Sequence, residues 1–227
     1  MHQVDISGDI VERLKTRRGR YHLYEKIYPD KTALIVIDMQ NAFCKPGAPA
    51  EVPASRDIVG NINSLAEALR SRGGSIIWIA SAFDCKNGRS DWENFFNYIV
   101  AAEVRSQTME YMAPGAEGVA LWEELDARED DIYVEKNRYS CFVPGASQLE
   151  RILRSHGIDS LLIAGTKTNI CCETTARAAF DMDFKVTLVS DCCAALSDRE
   201  HLATMENMIQ QFGDVMTAQE VTDRLSQ

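Results

Sequence analysis

The apolar positions of the chain fall into strand-length runs separated by amphipathic stretches of helical period. Five runs are near-continuous in apolar residues: TALIVID (32–38), SIIWIA (75–80), DIYVE (131–135), SLLIAG (160–165) and KVTLVS (185–190). Unbroken apolar character is what a strand covered on both faces needs; a strand with one wet face would alternate instead. Between them, segment 55–73 sets Ile58, Ile62, Leu65 and Leu69 on one stripe and ends at a glycine, which predicts a helix. Segment 147–157 likewise ends at Gly157, and 197–213 opens with Ser197 and carries Glu200 three residues on, the pattern of a capping box. A short sixth strand at 214–216 and a last helix from Thr217 complete the set. This alternation predicts an α/β fold: a three-layer α-β-α sandwich around a mostly parallel six-stranded sheet, Rossmann-like in its layering. Residues 1–227 are expected as a single domain with 1–30 as an N-terminal arm. The stretch 81–130, with DWENFFNYIV at 91–100, is too long for a simple connection and is expected to cover a pocket.

Composition narrows the partners. With 45% hydrophobic and 26% charged residues the chain is an ordinary globular one. A formal net charge of −10 and a pI near 4.9 repel phosphate backbones and anionic membranes, so neither nucleic acid nor membrane is expected. The basic cluster RLKTRRGR (13–20) lies in the arm and reads as a solvated or partner-facing stretch. No apolar core of a signal peptide and no apolar run near the ~18 residues of a membrane span is present, which points to the cytoplasm. Seven cysteines without ladder spacing are expected as free thiols; Cys44, Cys85, Cys141, Cys192 and Cys193 read as packing residues.

In an open parallel sheet, ligands bind beyond the carboxyl ends of the strands. There the first strand ends at Asp38, the third is followed by Lys136, and the fourth leads through TKTNI to Cys171. Each has a bland reading alone: a turn cap, a solvated lysine, a small core residue. Together they make a coherent set, in which a cation and a helix N-terminus depress the thiol pKa while Asp38 moves its proton. None of the four histidines, His2, His22, His156 and His201, follows a strand end, which disfavours a Cys–His hydrolase. Successive helix residues point about 100° apart, so one of Cys171 and Cys172 faces the rim. Thr168 and Asn169 are N-cap candidates, which places Cys171 in the first turn and favours it.

The segments ALIVIDMQNAF (33–43), VEKNRYSCF (134–142) and IAGTKTNICCETTARAAF (163–180) resemble the three signature segments of the isochorismatase-like cysteine hydrolases, a superfamily that includes nicotinamidases, N-carbamoylsarcosine amidase, ureidoacrylate amidohydrolase and biuret hydrolase. The resemblance spans roughly residues 30–216 and implies an isochorismatase-like hydrolase fold. It makes Asp38 the general acid/base, Lys136 the support for thiolate and transition state, and Cys171 the nucleophile, with Cys172 in the place of a small aliphatic residue. It also implies a non-proline cis peptide before Lys167, and an oxyanion hole formed by the backbone N–H groups of Lys167 and Cys171. Many relatives have a small residue where this chain has Lys167. Nicotinamidases carry a metal-binding Asp/His set after the second strand, whereas SAFDCKNGRSDW (81–92) contains no histidine.

The function expected is therefore metal-independent, cofactor-free hydrolysis of a small amide or ureido (carbamoyl) compound through a covalent cysteine intermediate, with release of ammonia. The alternatives are an isochorismatase-type vinyl ether hydrolase, a nicotinamidase, a thiol redox or sensor protein, and a silent binding module. Candidate substrate-binding residues are Phe43, Trp78, Phe83, Trp92, Phe95 and Phe142 as walls, and Arg138, Arg177 and Lys167 as carboxylate partners. The resemblance further implies a homodimer or homotetramer, and the arm (1–30) is the candidate intersubunit contact.

Overall fold

The apolar runs pair edge to edge in a computed structural model that describes residues 2–226. The six strands are β1 (Thr32–Ile37), β2 (Ser75–Ser81), β3 (Ile132–Lys136), β4 (Ser160–Thr166), β5 (Lys185–Ala194) and β6 (Asp214–Met216). They lie in the order β3-β2-β1-β4-β5-β6, and every neighbouring pair is parallel. β1 sits centrally with all six residues buried, as its unbroken apolar run requires. β5 runs four residues past its expected end and carries Cys192 and Cys193 inside the sheet, with a register shift against β4 between Ile163 and Gly165.

Helices cover both faces. One core layer packs α2 (Val59–Arg70) and α7 (Ala218–Arg224) through Ile62, Leu65, Leu69 and Val221 against Leu34, Val36 and Trp78. The other packs α1 (Gly8–Arg18), α4 (Leu149–Ser155), α5 (Glu173–Asp181) and α6 (Asp198–Asn207) against Ile35, Ile37 and Ile163. The predicted helix at 55–73 opens instead as a 3-10 stretch over Pro53–Ile58, where a proline near the start suits a first turn that lacks N–H acceptors. At α6 the Ser197 hydroxyl accepts from the Glu200 N–H, and at α7 Thr217 and Glu220 form a full capping box.

Much of the arm is committed to its own chain. α1 buries Ile10 and Leu14 in the second layer. The guanidinium of Arg18 donates to the Ile209 carbonyl at 3.0 Å, at the C-terminal end of the helical stretch that α6 begins, where a cation is favoured. Asp214 then accepts from the N–H groups of Leu23 and Tyr24 at 2.5 and 3.2 Å. The basic cluster thus acts in part as an internal clasp. The 81–130 excursion contains a two-residue ladder, Cys85–Lys86 with Arg89–Ser90, a π-helical turn over Phe95–Ile99 and α3 (Ala102–Tyr111).

One glycine fixes how closely β4 approaches β1. Gly165 has φ 109°, and a Cβ there would lie 2.0 Å from the Ile37 carbonyl oxygen. Ile37 is the residue before Asp38, so this close approach sets the backbone on which the site is built. Gly165→Ala is expected to cost ~3 kcal/mol or more, measured as a drop in the urea unfolding midpoint; an unchanged midpoint would show that the two strands can part without penalty.

Candidate active site

Four adjacent strands deliver the chemical groups from their carboxyl ends. Lys136 ends β3 and is the direct neighbour of Ser81, which ends β2. Asp38 follows β1 with its backbone turned to φ 55°, a conformation aspartate tolerates better than most residues, and its N–H donates to the Ile79 carbonyl at 2.8 Å. Gln40 ties these ends together: its amide nitrogen donates to the Ser81 carbonyl at 3.0 Å and its oxygen accepts from the Ser81 N–H at 2.6 Å. β4 leads through a cis Thr166–Lys167 peptide into a π-helical turn over Thr168–Cys172 that continues as α5.

The groups converge on one ammonium. Lys136 Nζ lies 2.9 Å from Asp38 Oδ2, 2.8 Å from Ser81 Oγ, 3.1 Å from the Arg138 carbonyl and 3.5 Å from Cys171 Sγ. The Ser81 hydroxyl in turn donates to Asp38 Oδ1 at 2.9 Å. Both side chains of the Lys136–Asp38 pair are fully buried. Burial alone would lower the ammonium pKa, but the Asp38 charge beside it, with Cys171, reverses this and raises it; Lys136 therefore stays charged.

Cys171 behaves differently from expectation. Burial first, and then the Asp38 charge, push its thiol well above the ordinary value, with Lys136 only opposing. Both causes favour the thiol over the thiolate, because desolvation of sulfur and a facing carboxylate outweigh one cation that is already paired. The choice between the vicinal cysteines follows the geometry: Cys171 faces Lys136, whereas the fully buried Cys172 points its thiol at the Ala164 carbonyl, 3.8 Å away. Neither Thr168 nor Asn169 caps a helix; the Thr168 hydroxyl is paired instead with the Nδ1 of buried His201 at 3.0 Å.

Above the sulfur lies a cavity of about 480 Å³. Phe43, Phe83, Trp92 and Phe95 form its aromatic walls, and Lys167 and Tyr139 line it near Cys171. Much of the wall comes from the 81–130 excursion, which covers the pocket as its length suggested. Four candidates lie elsewhere. Trp78 sits mid-strand, 1% exposed, with its indole N–H on Asp131 Oδ2 at 2.9 Å; its position, three residues before the end of β2, keeps it in the core layer. Phe142 packs on Phe184 in the opposite layer. Arg138 lies over the Trp92 ring at 5.2 Å and donates to the carbonyls of Asn137 and Asp91. Arg177 pairs with Glu173 at 2.5 Å and stacks on Phe212, one turn along α5 and away from the cavity.

Residues 32–220 match the isochorismatase domain family. The chain is 32% identical to a ureidoacrylate amidohydrolase from Acinetobacter baylyi, over 94% of this chain and 92% of that protein. The chain belongs to the isochorismatase family. Among solved structures of that kind it is similar to a cysteine hydrolase from Pseudomonas syringae pv. phaseolicola, with a TM-score of 0.79 and 29% identity over 90% of this chain and 96% of the other. It is also similar to a nicotinamidase/pyrazinamidase from Bacillus subtilis, with a TM-score of 0.68 and 25% identity over 82% and 99%. An N-carbamoylsarcosine amidase from Thermoplasma acidophilum shares the fold, at a TM-score of 0.65 and 24% identity over 83% and 96%.

Within this isochorismatase fold, sequence reasoning missed Ser81, which bridges Asp38 and Lys136. The second strand was expected to end at Ala80; one further residue puts Ser81 beside Lys136. Among the described residues no group of three or more His, Cys, Asp or Glu side chains is placed to hold a metal ion. Because the thiol is held protonated, alkylation of Cys171 by iodoacetamide in the free protein is expected to keep accelerating as pH rises past 9.0, the ordinary thiol value. A plateau of the rate at neutral pH, read by peptide mapping, would reveal a preformed thiolate.

Proposed function

We propose that the protein is a cysteine hydrolase of small amide or ureido compounds, working through an acyl- or carbamoyl-cysteine at Cys171 and releasing ammonia. The observation that carries this reading is the buried ammonium of Lys136 in contact with both the Asp38 carboxylate and the Cys171 sulfur, at 2.9 and 3.5 Å, beneath a cavity that Cys171 and Ser81 line. The amidohydrolase named among its relatives supports the reaction class.

The chemistry follows from the protonation states. Attack of sulfur on the carbonyl carbon needs the thiol proton removed as the S–C bond forms, and Asp38 is the base that faces it. The developing oxyanion is met by the backbone N–H groups of Lys167 and Cys171. Asp38 then returns the proton to the departing nitrogen, which leaves as ammonia, and the cysteine holds the acyl or carbamoyl group. Water attacks that thioester carbon, again losing a proton to Asp38, and the proton returns to sulfur as the S–C bond breaks. Lys136 keeps its charge throughout; its role is to hold the Asp38 carboxylate in place and to offset negative charge on sulfur. Ser81 fixes the other carboxylate oxygen.

Cys171→Ala is expected to reduce ammonia release from a responsive amide or ureide by at least about 10³-fold, while Cys172→Ala retains most of it. The measurement is ammonia release across a panel of ureas, carbamoyl amino acids and primary amides. Loss with Cys172→Ala alone would reassign the nucleophile, and no effect of either change would refute a covalent thiol route.

A further inference from the structure

One basic residue that lines the cavity has no counter-charge. Asp38 and Lys136 offset each other in a buried pair, and Arg138 and Arg177 are engaged outside the cavity, with backbone carbonyls and Trp92 and with Glu173. Lys167 lines the cavity, and among the described residues its ammonium has no carboxylate, carbonyl or hydroxyl partner. The surroundings give it little else to interact with. Phe83, Trp92 and Phe95 pack with ring centroids 4.9 to 6.0 Å apart, and Val100, Val104 and Met112 continue the same apolar wall. An ammonium brought against such walls is most stable with an anion beside it.

We infer that the side chain of Lys167 anchors a carboxylate of the substrate, and that the aromatic wall receives an apolar body carried on the same molecule. The substrate class is then a carboxylate-bearing amide or ureide with an aromatic or branched aliphatic substituent, such as an N-carbamoyl derivative of a large apolar amino acid. This rests on the hydrolase reading above. The placement also limits the distance between the two groups. The backbone of Lys167 adjoins the position assigned to the substrate oxyanion, and its side chain has only a four-carbon stem, so the carboxylate lies within a few bonds of the scissile carbon. The volume of about 480 Å³ exceeds what urea or a short primary amide fills and falls in the range of small-molecule sites, ~300–1,000 Å³. Overall charge works against such a substrate, since the chain carries a net −10; a preference for an anion must therefore come from a local cation.

The test compares N-carbamoyl-phenylalanine with its neutral counterpart N-carbamoyl-phenylalaninol, and with N-carbamoylglycine, in the unsubstituted protein and in Lys167→Met and Lys167→Arg. The expected result is a kcat/KM ratio of acid over alcohol that falls at least about tenfold in Lys167→Met, mainly through KM, and is largely restored in Lys167→Arg. The phenylalanine compound is expected to exceed the glycine compound by a similar factor. In the unsubstituted protein, added salt should raise KM for the acid and leave that for the alcohol unchanged; this holds the proposal to account even if Lys167→Met does not fold. An acid/alcohol ratio equal in the unsubstituted protein and Lys167→Met, or a KM for the acid indifferent to salt, would overturn the anchor. A glycine compound as good as the phenylalanine compound would overturn the apolar body. If no amide or ureide in the panel is hydrolysed, the hydrolase reading fails by itself, and binding to Cys171→Ser decides the anchor separately: 3-phenylpropionate should bind more tightly than 3-phenylpropanol only when Lys167 is present, and equal binding would refute it.

Discussion

A lysine and an aspartate, both removed from water and 2.9 Å apart, set the terms for everything around them. Burying two charges costs several kcal/mol per ion, repaid only where the geometry is good and the remaining donors and acceptors are satisfied. That condition is met closely. The three N–H donors of the ammonium find Asp38, Ser81 and the Arg138 carbonyl, and the Ser81 hydroxyl donates a hydrogen bond to the second carboxylate oxygen. The sulfur of Cys171, at 3.5 Å, is therefore a fourth neighbour competing for donors already in use. Burial and the Asp38 charge push that thiol up, and the lysine only partly opposes them; the same lysine is placed to offset negative charge when it appears on sulfur.

The sheet exists, functionally, to hold that arrangement. β3, β2, β1 and β4 are consecutive in space, and each contributes one part at its carboxyl end: Lys136, Ser81, Asp38 and the turn that carries Cys171. Their relative positions are fixed by ladder hydrogen bonds, by the reciprocal amide contacts of Gln40 with Ser81, and by the absence of a side chain at Gly165. Rigid strands thus supply the precise part of the site. Much of the pocket wall comes from the 81–130 excursion, whose aromatic residues meet one another and the cavity.

The strands, and the meeting of Asp38, Lys136 and Cys171 on one rim, were legible because each is a local signal: a doubly covered strand has no polar alternation, and a chemical group directly after it must sit on the rim. Ser81 was not legible, since a serine at a strand end is commonplace and its meaning depends on the register of β2 against β3. The wall was half legible for the same reason. Phe83, Trp92 and Phe95 lie beyond the strand and reach the cavity, while Trp78 lies within it and is drawn into the core, its N–H answered by Asp131. Composition does not distinguish them. Nor does it reveal that Arg177 is satisfied by Glu173 one turn away, which leaves Lys167 as the basic residue lining the cavity. The direction of the Cys171 shift was misjudged because a nearby cation is visible in sequence and the desolvation of sulfur is not.

The central claim is that one thiol, activated only as it attacks, carries the substrate's acyl or carbamoyl group. It is tested most directly by acid-quenching the protein during turnover and mapping the covalent adduct by peptide mass spectrometry. The account predicts an added acyl or carbamoyl mass on Cys171 that decays with substrate exhaustion and does not form in Asp38→Asn. An adduct on Cys172, or rapid turnover with no adduct on any cysteine at quench times shorter than one catalytic cycle, would contradict it.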